Sequence, residues 1–310
     1  MAEGSDAQMS VRSARPAVVA NPSKTDDPAA NRREVTQAVA DAGLPTPLWY
    51  ETTKEDPGRG QTAQALKEGA DLVFAFGGDG TVRACASILC GGQVPLALLP
   101  AGTGNLLARN LGVPADLAKA AKVAARGRLR RIDVPALNGD PFLVMGGSGF
   151  DALLFERTSE TLKSKVGWAA YAVAGIRAIR SAAPAVVSLD IDGNAQKVTC
   201  IGMLVGNVGT LTGGMELLPQ AEPDDGLLDV AVLTPTRIRN WAGLAISIMA
   251  GRQPKPWQLQ THRGTRVVVD WPAAVPVELD GDLQDPAIRL VFTLARSALA
   301  ICVPDPQRGV

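Results

Sequence analysis

With 310 residues and 46 % hydrophobic content, the chain can bury enough apolar surface for two domains, which excludes an intrinsically disordered protein. Lys plus Arg balances Asp plus Glu at 31 each, so no basic excess recommends a nucleic acid, and a neutral molecule or a compact anion is the expected partner. No stretch reaches the roughly 18 consecutive apolar residues of a spanning helix, and MAEGSDAQMSVRSARP lacks an apolar signal core, so the expectation is a cytoplasmic protein, soluble or peripheral on the inner face of a membrane.

Residues 1–14 are small and polar and read as a disordered tail. PAVVAN (Pro16 to Asn21) reads as a strand, Asn31 to Ala42 as a helix, Leu48 to Thr52 as a strand and Gln61 to Gly69 as a helix. DLVFAF (Asp71 to Phe76) then runs into Gly77-Gly78-Asp79-Gly80-Thr81, and VPLALL (Val94 to Leu99) into Pro100-Ala101-Gly102-Thr103-Gly104-Asn105. This alternation, up to about Leu111, predicts an α/β domain built on a doubly wound parallel sheet, over residues 15–131. From Arg131 the grammar changes to short β-rich runs such as RIDVPAL, AVVSLDIDG and TRVVVDW, many alternating apolar and polar residues. They predict a β-sandwich over 132–296, interrupted by helices at Ser164 to Arg180 and Arg237 to Gly251.

The two glycine-rich loops sit at the carboxyl ends of buried strands, each followed by a helix. Glycines there let backbone N–H groups approach an anion, and the helix turns its positive end the same way, which makes a polyphosphate cradle. Asp79 would repel phosphate unless it faces a cation or an acceptor hydroxyl, so it suggests organised Mg²⁺ or water. Thr81 is a candidate helix cap and phosphate donor. No G-x-x-x-x-G-K-[ST] occurs. Gly147 to Ala152 fits G-x-G-x-x-A, but it lies in the β-rich half with no acidic residue about twenty positions on, so close backbone packing is the expected role. Cys85, Cys90, Cys200 and Cys302 form no C-x-x-C pair and read as reduced core thiols. The single histidine, His262, reads as an exposed loop residue, which leaves proton transfer to carboxylates or lysines.

In this order, Asn21-Pro22-Ser23, Gly77 to Thr81, Pro100 to Asn105, Ile132-Asp133, Gly146 to Asp151, Gly213-Gly214-Met215, Pro223 to Asp229 and Glu278 to Asp282 cover nearly the whole chain. The set resembles the catalytic domain of the diacylglycerol kinase and sphingosine kinase superfamily, of the bacterial lipid kinase type. That resemblance implies the two-domain lipid kinase fold, with 297–310 packing back on the first domain. It implies an enzyme that transfers the γ-phosphoryl group of ATP to a lipid hydroxyl, with diacylglycerol giving phosphatidic acid as the first choice. It places ATP on Asn21, Pro22, Ser23, Thr52, the stretch Gly77, Gly78, Asp79, Gly80, Thr81, Val82 and Arg83, and on Gly102, Thr103, Gly104 and Asn105. It places Mg²⁺ on the side chain of Asp225 with backbone oxygens of Glu222 and Leu227, with Asp133 in the same acidic set, and makes Asp280 and Asp282 the hydroxyl base, with Asp79 orienting phosphates.

Several positions depart from the family pattern. Leu106 stands where an acidic residue is usual, Lys24-Thr25-Asp26 replaces a glycine, Arg83 either pairs with phosphate or is solvated, and Asp282 replaces a glutamate. Both Asp-Gly pairs, at 225–226 and 280–281, also read as plain strand turns. Apolar helix faces flanked by Lys163, Lys165, Arg177 and Arg180 suit peripheral contact with a membrane lipid substrate. No nucleic acid is expected, and a homodimer is left open. The rival readings are a kinase for a sphingoid base or another lipid alcohol and, from a different class, a nucleotide-binding regulator without catalysis.

Overall fold

The computed structural model describes residues 15–24, 27–149, 184–210, 218–234 and 259–307. The expected tail at 1–14, Thr25 and Asp26, Phe150 and Asp151, the helices at 164–180 and 237–251 with their four basic residues, and Gly213 to Met215 lie outside the described residues. Two compact units divide the chain, Met1–Asp133 with Arg296–Val310, and Val134–Ala295.

In the first unit, strands β1 (Pro16–Ala20), β2 (Leu48–Glu51), β3 (Leu72–Gly77) and β4 (Leu96–Pro100) pair in parallel in the order β4-β3-β1-β2. β1 and β3 are buried along their whole length, which is why they read as unbroken apolar runs. The end of the last strand of the chain, β14 (Asp282–Val303), joins the other side of β4 in parallel, with Ile301 opposite Leu96. Helix α1 (Pro28–Asp41) starts three residues ahead of expectation, because Asp27 caps it through Ala30 N–H at 2.9 Å and Pro28 suits the first turn. Helix α2 (Arg59–Lys67) is opened by Asp56, whose carboxylate accepts from Gly58 N–H at 3.0 Å and Gly60 N–H at 2.9 Å. Helices α3 (Asp79–Leu89) and α4 (Leu106–Asn110) follow the two glycine loops. Helix α5 (Leu117–Arg126) was not anticipated; Asp116 caps it on Lys119 N–H at 2.9 Å, and it buries a run of alanines.

The second unit is antiparallel. β7 (Met145–Gly149), β10 (Gly202–Gly206), β11 (Leu228–Leu233) and β12 (Leu259–Gly264) lie side by side, and β13 (Val267–Leu279) pairs with β7, β8 (Ala185–Ile191) and β14. β9 (Asn194–Cys200) pairs with β8, while β5 (Arg128–Leu137) pairs with β14 and with the short β6 (Asp140–Pro141). Their inward residues form one core in which Phe142 and Phe292 meet edge to face at 6.2 Å. An α/β parallel-sheet unit and a β-sandwich unit are thus both present, as the sequence pattern expects.

Of the G-x-G-x-x-A stretch, the described part, Gly147 to Gly149, lies in β7 in the middle of this antiparallel sheet, and the rest lies outside the described residues. A Cβ on Gly149 would stand 2.7 Å from the Ile201 carbonyl, so the glycine serves close strand packing. His262 lies within β12, half-buried, rather than in an exposed loop.

Candidate functional site

In the first unit the structure joins the two glycine loops into one object. Ala101 N–H donates to the Gly77 carbonyl at 3.0 Å, extending the β3–β4 ladder beyond the strands. A Cβ on Gly102 would lie 2.7 Å from the Cα of Gly78, so the loops touch backbone to backbone and only glycine fits. Asn105 then closes the second loop on itself, with Gly102 N–H donating to its Oδ1 at 3.0 Å and its Nδ2 donating to the Gly102 carbonyl at 2.6 Å. Asn105 holds φ at 48°, a left-handed value that asparagine tolerates better than most side chains.

Asp79, expected to face a cation or an acceptor hydroxyl, is turned toward the second loop. It is the first residue of α3, and its Oδ1 accepts the N–H of Leu106 at 2.7 Å, where α4 begins. Its Oδ2 lies against Gly104, where a Cβ would stand 2.7 Å away. Burial pushes its carboxyl above the usual range, and N–H donation from Leu106, Leu107 and Asn105 pulls the other way without cancelling the effect. The carboxylate therefore locks one loop to the helix of the other. Leu106, at the position usually acidic, supplies an N–H to that lock and a buried side chain to the core.

Thr81 is the third residue of α3 and so does not cap it; Gly78 does. Thr81 Oγ1 instead receives a long contact from Asn21 Nδ2 at 3.5 Å, and its Cβ crowds Gly77, where an added Cβ would lie 2.7 Å away. Asn21 sits at the end of β1, and its Oδ1 accepts from Ser23 N–H at 3.0 Å and Ser23 Oγ at 2.7 Å across the turn at Pro22–Lys24. Thr52 is buried beside it and continues the β1–β2 ladder by donating to the Ala20 carbonyl at 2.8 Å. Val82 is buried on α3, Arg83 half-buried and Thr103 exposed. The nucleotide residues expected in this unit thus form one rim at the carboxyl ends of β1 to β4, at the N-terminal end of α3.

Asp133, expected among metal ligands, lies in the first unit, 1 % exposed, and accepts Ser297 N–H at 2.6 Å. It anchors the returning chain, with Ser297 at φ 48°.

The second unit carries the acidic turns. Asp280 and Gly281, at φ 51° and 89°, form a two-residue hairpin between β13 and β14, with Leu279 opposite Asp282. Asp280 was expected as part of the base. Its Oδ1 accepts the N–H groups of Val144 at 2.8 Å and Met145 at 3.0 Å, and its Oδ2 that of Leu143 at 2.9 Å. Three donors on one carboxylate make it an anchor for the segment that enters β7. Asp282 is exposed at the start of β14. Glu278, which opens this motif but was given no role of its own in the sequence, is wholly buried and accepts Gly281 N–H at 2.7 Å, holding the turn from behind.

Of the ligands expected for an ion at Glu222, Asp225 and Leu227, the one side chain, that of Asp225, is engaged by the protein itself. Asp225 Oδ1 accepts Leu227 N–H at 2.9 Å, and Oδ2 pairs with the guanidinium of Arg263, while Glu222 is exposed. Among the described residues no group of three or more His, Cys, Asp or Glu is arranged to hold a metal.

Comparison with known proteins agrees with both units. Residues 15–137 match the model of the diacylglycerol kinase catalytic domain, and residues 145–303 that of the YegS C-terminal NAD kinase beta sandwich-like domain. The chain belongs to the diacylglycerol-kinase-like lipid kinase family. This lipid kinase is 33 % identical over 281 residues to a Pseudomonas aeruginosa protein named "Probable lipid kinase YegS-like", covering 89 % of this chain and 91 % of that one. It is 28 % identical to the diacylglycerol kinase of Bacillus subtilis, covering 80 % and 83 % of the two chains. The crystal structure of a diacylglycerol kinase from Bacillus anthracis shares the fold, with a TM-score of 0.75 at 24 % identity over 94 % of this chain and 97 % of that one. Among the described residues of this lipid kinase no helix is long and apolar enough to cross a membrane.

Proposed function

We propose that this lipid kinase transfers the γ-phosphoryl group of ATP to the primary hydroxyl of diacylglycerol, giving phosphatidic acid at a membrane surface on the cytoplasmic side. The observation that carries the donor half is the union of the Gly77–Thr81 and Gly102–Asn105 loops at the N-terminal end of α3. The first turn of an eleven-residue helix leaves N–H groups without intrahelical partners, and its dipole favours anions there. The loops meet through their backbones, so the phosphates are positioned by groups that cannot change rotamer, which suits a transfer that depends on placement. Mg²⁺ carried by the nucleotide supplies charge neutralisation on the phosphates when bound.

The acceptor half rests on the exposed carboxylate of Asp282. Asp280 and Glu278 hold its hairpin on backbone N–H groups, so in this reading they are positioning residues, and Asp282 accepts the hydroxyl proton. The named activity of the Bacillus subtilis relative favours diacylglycerol as acceptor.

Radiolabelled ATP, supplied with Mg²⁺ to vesicles containing diacylglycerol, a sphingoid base or another lipid alcohol, tests the reading. Label transfer to diacylglycerol at the highest kcat/KM is expected. Transfer only to a sphingoid base would replace the acceptor, and nucleotide binding without transfer to any lipid would favour a regulator.

A further inference from the structure

We propose that the guanidinium of Arg263 is the resident cation of the loop between Gln220 and Asp229, in the place where a divalent ion is expected, so that the sandwich unit is clamped by its own chain rather than by Mg²⁺. The loop gathers negative charge in a small volume, since Asp225 lies near its middle and Asp229 in the strand that leaves it. Arg263 stands on β12 directly across the ladder from Asp229 on β11. Its Nε lies 3.0 Å from Asp229 Oδ1, its Nη2 pairs with Asp225 Oδ2, and the same Nη2 reaches the Gln220 carbonyl at 3.2 Å. One planar fork thus ties the beginning, the turn and the outgoing strand of the loop together, which a flexible ammonium would do less rigidly.

Shielding is uneven across the clamp, with Asp229 buried and both Asp225 and Arg263 at the surface. The side chains of Asp229, Asp225 and Arg263 are 7 %, 22 % and 33 % exposed, so water screens them only in part. An incoming Mg²⁺ demands near-octahedral oxygen ligands at about 2.0–2.1 Å. Here both oxygens of Asp225 already have partners, Leu227 N–H on one side and Arg263 on the other, and a permanent positive charge occupies the approach. Register reinforces the assignment, because the β11–β12 ladder brings Arg263 to Asp229 without any help from the loop.

The test uses the full chain without nucleotide, melted in EDTA and in millimolar Mg²⁺, beside Asp225→Asn and Arg263→Met. The parent is expected to melt at the same temperature in both buffers, or to show a Mg²⁺ rise that Asp225→Asn retains in full. Arg263→Met is expected to melt lower in EDTA and to regain part of the loss in Mg²⁺, because two carboxylates are then left facing each other. A Mg²⁺ rise in the parent that Asp225→Asn abolishes overturns the proposal, as does an Arg263→Met variant that melts with the parent. Should Arg263→Met not fold, the parent and Asp225→Asn decide the question alone.

Discussion

The two units use the same vocabulary, aspartate beside glycine at a strand end, for different ends. In the first, Asp79 is drawn inward and spends its charge on the N–H of Leu106, so that two glycine loops are joined into one. In the second, Asp280 is drawn inward in the same way, onto Leu143, Val144 and Met145, and the next carboxylate along belongs to an exposed residue, Asp282. An Asp-Gly motif therefore marks where the chain turns, while the direction of the carboxylate is decided by which backbone donors lie within reach. The inward acids tie loops together, and in the proposed reaction the exposed one takes the hydroxyl proton.

The sharpest way to break this contrast is at Asp282. Asp282→Asn is expected to lower turnover by ~10²-fold or more, within the range of general base catalysis, with ATP affinity unchanged in calorimetry. Asp282→Glu should keep or raise turnover, because the longer carboxylate reaches farther toward the hydroxyl. Equal turnover in Asp282→Asn and the parent would remove the outward acid from the chemistry.

Asp79→Asn should cost about 10²-fold in turnover for a different reason. A carboxamide brings its own N–H₂ among the donors of Asn105, Leu106 and Leu107, so the loops separate and the phosphates lose their place. Here ATP affinity should fall with turnover, which distinguishes a lock from a base. Gly102→Ala probes the same lock from the other loop. Its Cβ has only 2.7 Å to the Cα of Gly78, so the loops must part, ATP affinity should weaken roughly tenfold or more, and the melting temperature should fall as well.

Asp280→Asn should act mainly on stability. A carboxamide in place of a carboxylate that accepts three N–H groups leaves at least one buried donor unmatched, a loss of about 1–3 kcal/mol read as a lower melting temperature. The smallest effect concerns pH. Because burial raises the folded carboxyl of Asp79, the folded state binds its proton more readily than the unfolded chain, whose value is about 3.9. This stabilising contribution is complete below about 3.9 and lost as pH rises through the raised folded value. The melting temperature of the parent relative to Asp79→Asn should therefore improve as pH falls toward 4; an unchanged gap would place Asp79 in a better solvated setting.

Most of the architecture was legible because buried parallel strands such as PAVVA leave long apolar runs and the sandwich strands alternate. Helix α5 was not, since LAKAAKVAAR buries alanines, which give a weak apolar stripe, and its clearest signal was the capping Asp116. In the site, the loops and their common facing were readable from glycine and strand order. The direction of Asp79 and Asp280 was not, because their partners lie 27 and more than 130 residues away in sequence. Arg263 was hidden for the same reason: its meaning comes from standing opposite Asp229, and a ladder register cannot be read from one strand. The burial of Cys85, Cys200 and Cys302, whose thiols are pushed up to about 12, follows directly from their apolar surroundings.

The pairing of Ile301 with Leu96 ties the first unit to the end of the chain. During synthesis, β4 emerges some two hundred residues before its outer neighbour and stands meanwhile as an open sheet edge, the kind of surface that recruits strands from other chains. Ser297, latched to Asp133, and Ile301 close that edge only when the last strand leaves the ribosome. The first unit thus receives this edge strand only after the intervening sandwich has been made, and a nascent chain halted within the sandwich would carry an adhesive parallel sheet.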